Sequence, residues 1–460
     1  MNNTERTHRN YPAMNWRSVA ARAAMWLLMA APGIMPAWAP VYAQVATGAS
    51  EEQQLRDPDA RIRERAVRDM GERGNAVYVP SVAALVQDPD EKVRMTVVRT
   101  LIRLGSDASL SPLSIAVRDS IPEIRYLAID GLVNHYLQGY VNTGFGGVFR
   151  SATKRVAGLF DNADSTVVDR DTRLDQVVVE TLRRAMIGAP DMNTRVRAAR
   201  AAGILRASTL SPDMVAAAFG ENVELTAEIL RALRKIADFS AGPRLVFLLN
   251  YPQLSIQREA AITLGLLRTT EAIPELRQLF ENTLDKEVRK AALEALAFMP
   301  TVETAPIFED SLRDRDGHIR ASSALALGRL KDPRHLGVLE QVRLGERDEG
   351  VKLAIAFALI MNGKHVLLDQ VVSALGSRLR GGEAEAYLVE AARDDTVRDA
   401  LYPRLYHKEA SVRAGLCRVL AASGDSRSIN YLEVLLKDRD NNVVAAASRA
   451  VRILRTQPVR

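Results

Sequence analysis

Six histidines, one cysteine and 56 acidic residues are the material for chemistry in this chain of 460 residues. The histidines are His8, His135, His318, His335, His365 and His407. No two stand at the helical spacing that would put a metal-binding pair on one face. H-E-x-x-H, G-x-S-x-G and C-x-x-C are all missing, and so are the phosphate-cradling patterns G-x-x-x-x-G-K-[ST] and G-x-G-x-x-G. Cys417, being alone, rules out an intramolecular disulfide and a Cys-rich zinc site. It lies five residues after Val412, in a slot that elsewhere holds Val67, Val98, Ile129, Ala261 and Leu293, so it reads as core packing. The carboxylates recur at turn positions. No catalytic residue, metal ligand or cofactor follows from these residues.

One segment does carry unusual side chains. Residues 138–174 open with Gly139, Gly144, Gly146 and Gly147, interleaved with Tyr140 and Phe145. Such a run reads as a loop. Val148, Phe149, Ala152, Val156, Leu159 and Phe160 then share one helical face, with Arg150, Lys154 and Arg155 off it. Three readings stay open: a helix folded back over the rest of the molecule, a docking element for a protein partner, or a weak membrane-surface contact. Tyr140, Phe145, Phe149, Arg150, Lys154, Arg155, Leu159 and Phe160 are the candidate contact residues.

The elements that must position these residues emerge from a repeat. An aliphatic-Arg dipeptide recurs as Ile62-Arg63, Val93-Arg94, Ile124-Arg125, Val196-Arg197, Val288-Arg289, Ile319-Arg320 and Val412-Arg413. Weaker copies are Leu225-Thr226, Ile256-Gln257, Val351-Lys352 and Val443-Val444. Successive anchors lie 31, 31, 72, 29, 31, 32, 31, 32, 61 and 31 residues apart. The 61 is two periods with a degenerate copy near residue 382, and the 72 marks the interruption. Eight positions after each of the eleven anchors stands an apolar residue, from Met70 to Val451. Four positions after it, nine of the eleven are apolar. Offsets 0, 4 and 8 share a helix face. An acidic residue three or five positions before most anchors can cap that helix. Each unit is therefore a helix, an acidic turn and a second helix.

This pattern resembles the HEAT repeat, in the short form also found in phycobilin lyase subunits. The resemblance rests on residues 88–105 (DPDEKVRMTVVRTLIRLG), 284–299 (LDKEVRKAALEALAFM) and 316–330 (DGHIRASSALALGRL). It implies an all-α fold, an α-solenoid of about twelve HEAT-like helical hairpin repeats of ~31 residues. It also implies a structural ladder between repeats made by Arg63, Arg94, Arg125, Arg197, Arg289, Arg320 and Arg413 with turn acids. Some members of the wider family are di-iron hydroxylases that use His-Glu dipeptides. This chain has no His-Glu dipeptide.

Composition agrees with stacked helices: aromatics are 5% and hydrophobics 47%. The net charge of +6 falls to +3 without the first 43 residues, which hold Arg6, Arg9, Arg17 and Arg22 against Glu5. A nucleic-acid groove would need basic residues at one offset in repeat after repeat. Offset +6 instead mixes Arg68, Arg99, Arg418 and Arg449 with Asp130, Ala202, Ile262 and Glu294, so no nucleic acid is expected. The N-terminus reads as an export signal. Arg17 and Arg22 precede the apolar stretch 23–35, and small-residue cleavage patterns end at Ala39 and Ala43.

The expected division is a signal peptide 1–43, a flexible lead-in 44–54, repeats 55–137, the insertion 138–174, repeats 175–455 and a tail 456–460. The expected location is the periplasm, with anchoring in the inner membrane through 23–43 as the alternative. The expected function is a non-enzymatic scaffold for a protein partner. The alternatives are a cofactor- or tetrapyrrole-related lyase or oxidoreductase subunit, and a membrane-surface adaptor.

Overall fold

The computed structural model describes residues 52–141, 167–220 and 222–456, and every regular element among them is helical. Twelve helices among the described residues occupy anchor positions: α1 (Ala60–Arg73), α2 (Glu91–Leu104), α3 (Pro122–Tyr136), α4 (Met192–Ile204), α5 (Val223–Ile236), α6 (Leu254–Leu266), α7 (Lys286–Phe298), α8 (Gly317–Leu330), α9 (Glu349–Met361), α10 (Gly381–Ala391), α11 (Ala410–Ser423) and α12 (Asn441–Thr456). The degenerate copy near residue 382 is α10, so its sequence drift did not cost it its place.

The acids before each anchor divide their work by position. Those three residues before it cap the helix. Asp59, Asp90, Asp285, Asp316 and Asp348 each accept a backbone N–H of the first turn. Those five residues before it serve the preceding repeat, as described below, and Asp191 does both. After most anchor helices the chain makes a short 3-10 turn and a second, usually shorter helix, several of which open with proline, as at Pro80, Pro212, Pro274 and Pro306.

All eleven residues at offset +8 are buried, Met70, Leu101, Leu132, Ile204, Leu233, Leu264, Leu296, Leu327, Leu359, Leu420 and Val451 among them. Each removes its side chain from water at about 1.5–3 kcal/mol. Successive anchor helices stack side by side, and small residues let them approach closely. A Cβ on Gly203, Gly265 or Gly328 would lie 2.7, 2.5 and 2.6 Å from the Cα of Ala232, Ala295 and Ala358 of the next anchor helix. The layer of second helices is looser. An open groove of ≈ 800 Å³ separates Leu110–Ala116 from Gln176–Gly188 there. Because the anchor helices are the more closely spaced layer, we take them as the inner face of the stack.

The interruption falls between two repeats, after the anchor helix of one and before the first helix of the next. α3 ends at Tyr136, and the helix Gln176–Gly188 begins beyond the insertion with Asp175 as its cap. Among the described residues no helix is long and apolar enough to cross a membrane. The leader, the segment 23–43 and most of the insertion lie outside the described residues.

Candidate functional site

The anchor arginines build a ladder along the turn edge. Arg63 donates through Nε and Nη2 to Asp88, both at 2.8 Å, and through Nη1 to the carbonyls of Asp57 and Pro58. One guanidinium thus ties its own turn to the turn of the next repeat. Arg94 repeats the arrangement with Asp119, Arg320 with Glu346 and Arg413 with Asp438, and each also holds two carbonyls of its own turn. Arg289 reaches Asp314 at 2.9 Å and lies over the Phe280 ring. Arg125 bridges the interruption, since its partner Asp191 caps α4 and also accepts from the Tyr126 hydroxyl at 2.8 Å. The Arg413 hydrogen bond holds the Asp438 carboxyl below its usual range. Removing one partner of so buried a pair costs about 3–5 kcal/mol.

Arg197 departs from this pattern. The residue 25 positions on is Asn222, which offers no charge and caps α5 instead. The Arg197 guanidinium turns to Asp130 on α3 at 3.0 Å and lies over the Tyr126 ring. The next two anchors also lack a rung: Gln257 bonds only the carbonyl of its own turn residue Tyr251, and Thr226 is too short. Across these repeats the ion pairs cross to the inner face. Arg200 of α4 holds Glu228 of α5, Arg231 holds Glu228 and Glu259 of α6, and Arg234 closes on Glu259 at 2.8 Å. Burial would push the Glu228 carboxyl up, but the Arg200 bond and the charges of Arg231 and Lys235 bring it below the usual carboxylate range.

A further rung comes from a residue that the anchor spacing passes over. Arg398, in the helix Asp395–Leu401, donates to the carbonyl of Ala392 and to Asp425 at 2.9 Å. Val397-Arg398 is itself an aliphatic-Arg dipeptide, with Asp394 three residues before it. Its distance of 15 residues from Val412 hides it from a search at the repeat period.

Of the candidate contact residues in the insertion, only Tyr140 lies among the described residues. Phe145, Phe149, Arg150, Lys154, Arg155, Leu159 and Phe160 fall outside them. Tyr140 is half-buried, and burial pushes its phenol up to about 12 in the fields of Asp130, Arg200, Arg197 and Glu228. The two flanks of the insertion are tied to the C-terminal ends of α3 and α4. Val141 donates to Asn134 Oδ1, Val168 to the Ile204 carbonyl, and Asp175 to the Tyr136 hydroxyl, at 2.9, 3.0 and 2.9 Å. The insertion therefore leaves and rejoins the array where the ion-pair relay moves inward.

The histidines do not converge. His135 pairs with Asp107, His318 with Glu294 and His335 with Glu309. Among the described residues no group of three His, Cys, Asp or Glu side chains could hold a metal ion. Cys417 is buried in the core, which pushes its thiol up to about 12.

Comparisons with known proteins bear on this architecture. A sequence model described as HEAT repeats matches residues 52–133, 211–297 and 276–360, together just over half of the chain. No curated protein sequence matches. Among solved structures the chain is similar to Kap121p bound to Pho4p, at 12% identity and a TM-score of 0.47, covering 91% of this chain and 57% of that one. It is also similar to the CpcE–CpcF complex of phycocyanin lyase from Nostoc sp. PCC7120, at 18% identity and a TM-score of 0.36, covering 62% and 97%. A third likeness is to an engineered protein, at 17% identity and a TM-score of 0.38, covering 89% and 99%. With its capped helical hairpins stacked at a period of about 31 residues and its sequence matched over half its length, the chain belongs to the HEAT-repeat family.

Proposed function

We propose that this chain is an exported, non-enzymatic scaffold that holds a protein partner against its inner face. The observation that supports the reading most is the row of anchor helices α4 to α8. Ion pairs link successive helices there, Arg200 to Glu228, Arg231 and Arg234 to Glu259, and Arg329 of α8 to Glu390 of α10, so charged groups recur along one face of the stack. HEAT-repeat solenoids are a fold often used to bind proteins, and extended surfaces of this kind suit extended partners. Export is supported by the basic and apolar pattern before Ala43. The insertion 138–174, rooted at the relay, serves as an accessory contact.

The test is site-specific photo-crosslinking in the cells of origin. The reactive residue is placed on the inner face at Glu294 or Arg418, and on the second-helix layer at Leu344 or Tyr431. The expected result is a discrete crosslinked protein from the inner positions, diminished when 138–174 is deleted. Crosslinks from the outer positions alone, or a purified protein that carries a bound chromophore or stoichiometric metal, overturn the scaffold reading. Recovery of the protein with Met1 intact overturns the export reading, which expects Gln44 as the new N-terminus.

A further inference from the structure

We propose that the C-terminal ends of α6 to α9, together with α10, form a trough for an acidic, extended peptide segment. This deepens the scaffold reading and rests on it.

Two clefts of ≈ 460 and ≈ 500 Å³ adjoin each other, with Phe298 and Arg329 lining both. The first is framed by Arg268, Lys331 and Arg393 around Glu390, with Phe298 and Met361 as its apolar wall. Arg329 is fully committed there. Its Nε and Nη2 hold the two Glu390 oxygens at 2.8 Å each, and its Nη1 donates to the Ala297 carbonyl at 2.8 Å. Lys331 reaches Asp394 at 3.6 Å. Arg268 and Arg393 are exposed and make no ion pair within 4.0 Å among the described residues, yet the charges of both act on Glu390. Two uncommitted guanidiniums therefore flank a carboxylate that a third has already neutralised. Their mutual repulsion is relieved by incoming carboxylates, each of which matches a guanidinium fork.

The backbone adds to this. Arg268 and Lys331 both end their helices in the left-handed region, at φ 49 and 52, where glycine would be cheaper. Both positions hold a cation at the cleft instead.

The second cleft decides between polyanions. It carries Leu325 and Tyr387, which can take apolar side chains, while its acids Glu294, Asp348 and Glu383 are already paired with His318 and Arg380, so it offers an apolar wall and no spare cation. A small anion fills neither cleft, and a nucleic acid would find no continuous basic track, since the cations of the second cleft are spent on its own acids. A peptide with carboxylates at one end and apolar residues at the other suits both.

The probe is a fluorescein-labelled peptide with a Glu-Asp-Glu-Asp block followed by a Leu-Phe-Leu block, compared with its Gln-Asn-Gln-Asn counterpart and with an oligothymidylate. The variants are Arg268→Glu with Arg393→Glu in the cleft, and Arg449→Glu with Arg452→Glu on the exposed side of α12 as a charge-matched control. Binding of the acidic peptide is expected, at least tenfold weaker to the cleft variant, unchanged in the control, and weakened by salt. Equal loss in both variants, no acidic-peptide binding, or preferred binding of the oligothymidylate overturns the proposal. If circular dichroism shows the charge-reversed protein unfolded, Arg268→Gln with Arg393→Gln gives the same readout with less perturbation. Inner-face crosslinks that persist without peptide binding sink the trough and leave the scaffold reading standing. Peptide binding without any inner-face crosslink does the reverse.

Discussion

Asp130 faces Arg197 at 3.0 Å from a site where it is only 8% exposed, and burial pushes its carboxyl up to about 6. Arg197 and Arg200 of α4 pull it back, and Tyr140 faces it from the insertion flank. Its unfolded value is about 3.9, so the folded chain holds this proton more tightly. The stability that proton supplies is present at low pH and is lost as pH rises from about 4 through 6, at a cost of up to about 3 kcal/mol. Ladder carboxylates such as Asp438 act in the opposite sense, being held low, and they lose their contribution only as pH falls through the acid range. Urea midpoints for Asp130→Asn should therefore lack the decline between about pH 4 and 6.5 that Asp130 imposes on the parent. Parallel profiles would remove Asp130 as its source. At this scale the turn acids were legible, because capping and ladder positions lie at fixed offsets from an anchor. The partner of Arg197 was not legible, because it comes from the preceding repeat across the interruption.

Two backbone positions three residues apart at the end of α8 respond to substitution with opposite sign. A methyl group on Gly328 would meet the Ala358 backbone at 2.6 Å, so Gly328→Ala is expected to cost ~2 kcal/mol or more through forced separation of the helices. Lys331, at φ 52, closes the same helix in a conformation glycine adopts freely, so Lys331→Gly should raise stability by up to ~1 kcal/mol. Chemical denaturation of both variants checks the pair, and a gain from Gly328→Ala would contradict the close approach. The helices themselves were readable from apolar residues at offsets 0, 4 and 8. The crossings were not, since glycine within a helix reads as weak propensity until its facing residue is known. The basic cleft escaped for a related reason. Arg268 and Lys331 sit at offset +12, Arg329 at +10, and Arg393 in the repeat without an anchor dipeptide, so no scan at one offset gathers them.

Among the described residues the apolar core falls into two clusters that meet in α9. Val351, Ala354, Ile355, Ala358 and Leu359 belong to the first, and Leu353, Ala356, Phe357 and Ile360 to the second. Nearly every residue of this helix is buried, and Arg329 reaches past it to Glu390. Phe357→Ala should cost about 3–5 kcal/mol and uncouple the two halves. Hydrogen exchange should then show residues after α9 opening before those of α1 to α8, and uniform exchange along the chain would rule out α9 as the junction. The inward shift of the ion pairs between α4 and α6 has a mechanical consequence. At most other turns a pull on the chain must break an Arg–carboxylate rung to open the edge, Lys352 being an exception that pairs with Glu349 of its own helix. Here the clamp lies on the opposite side of the stack and acts as a pivot, so strain collects at the unclamped turns of Asn222, Tyr251 and Thr283. The array is a spring with a soft stretch, and cargo lying across Arg231 and Glu259 would stiffen that stretch.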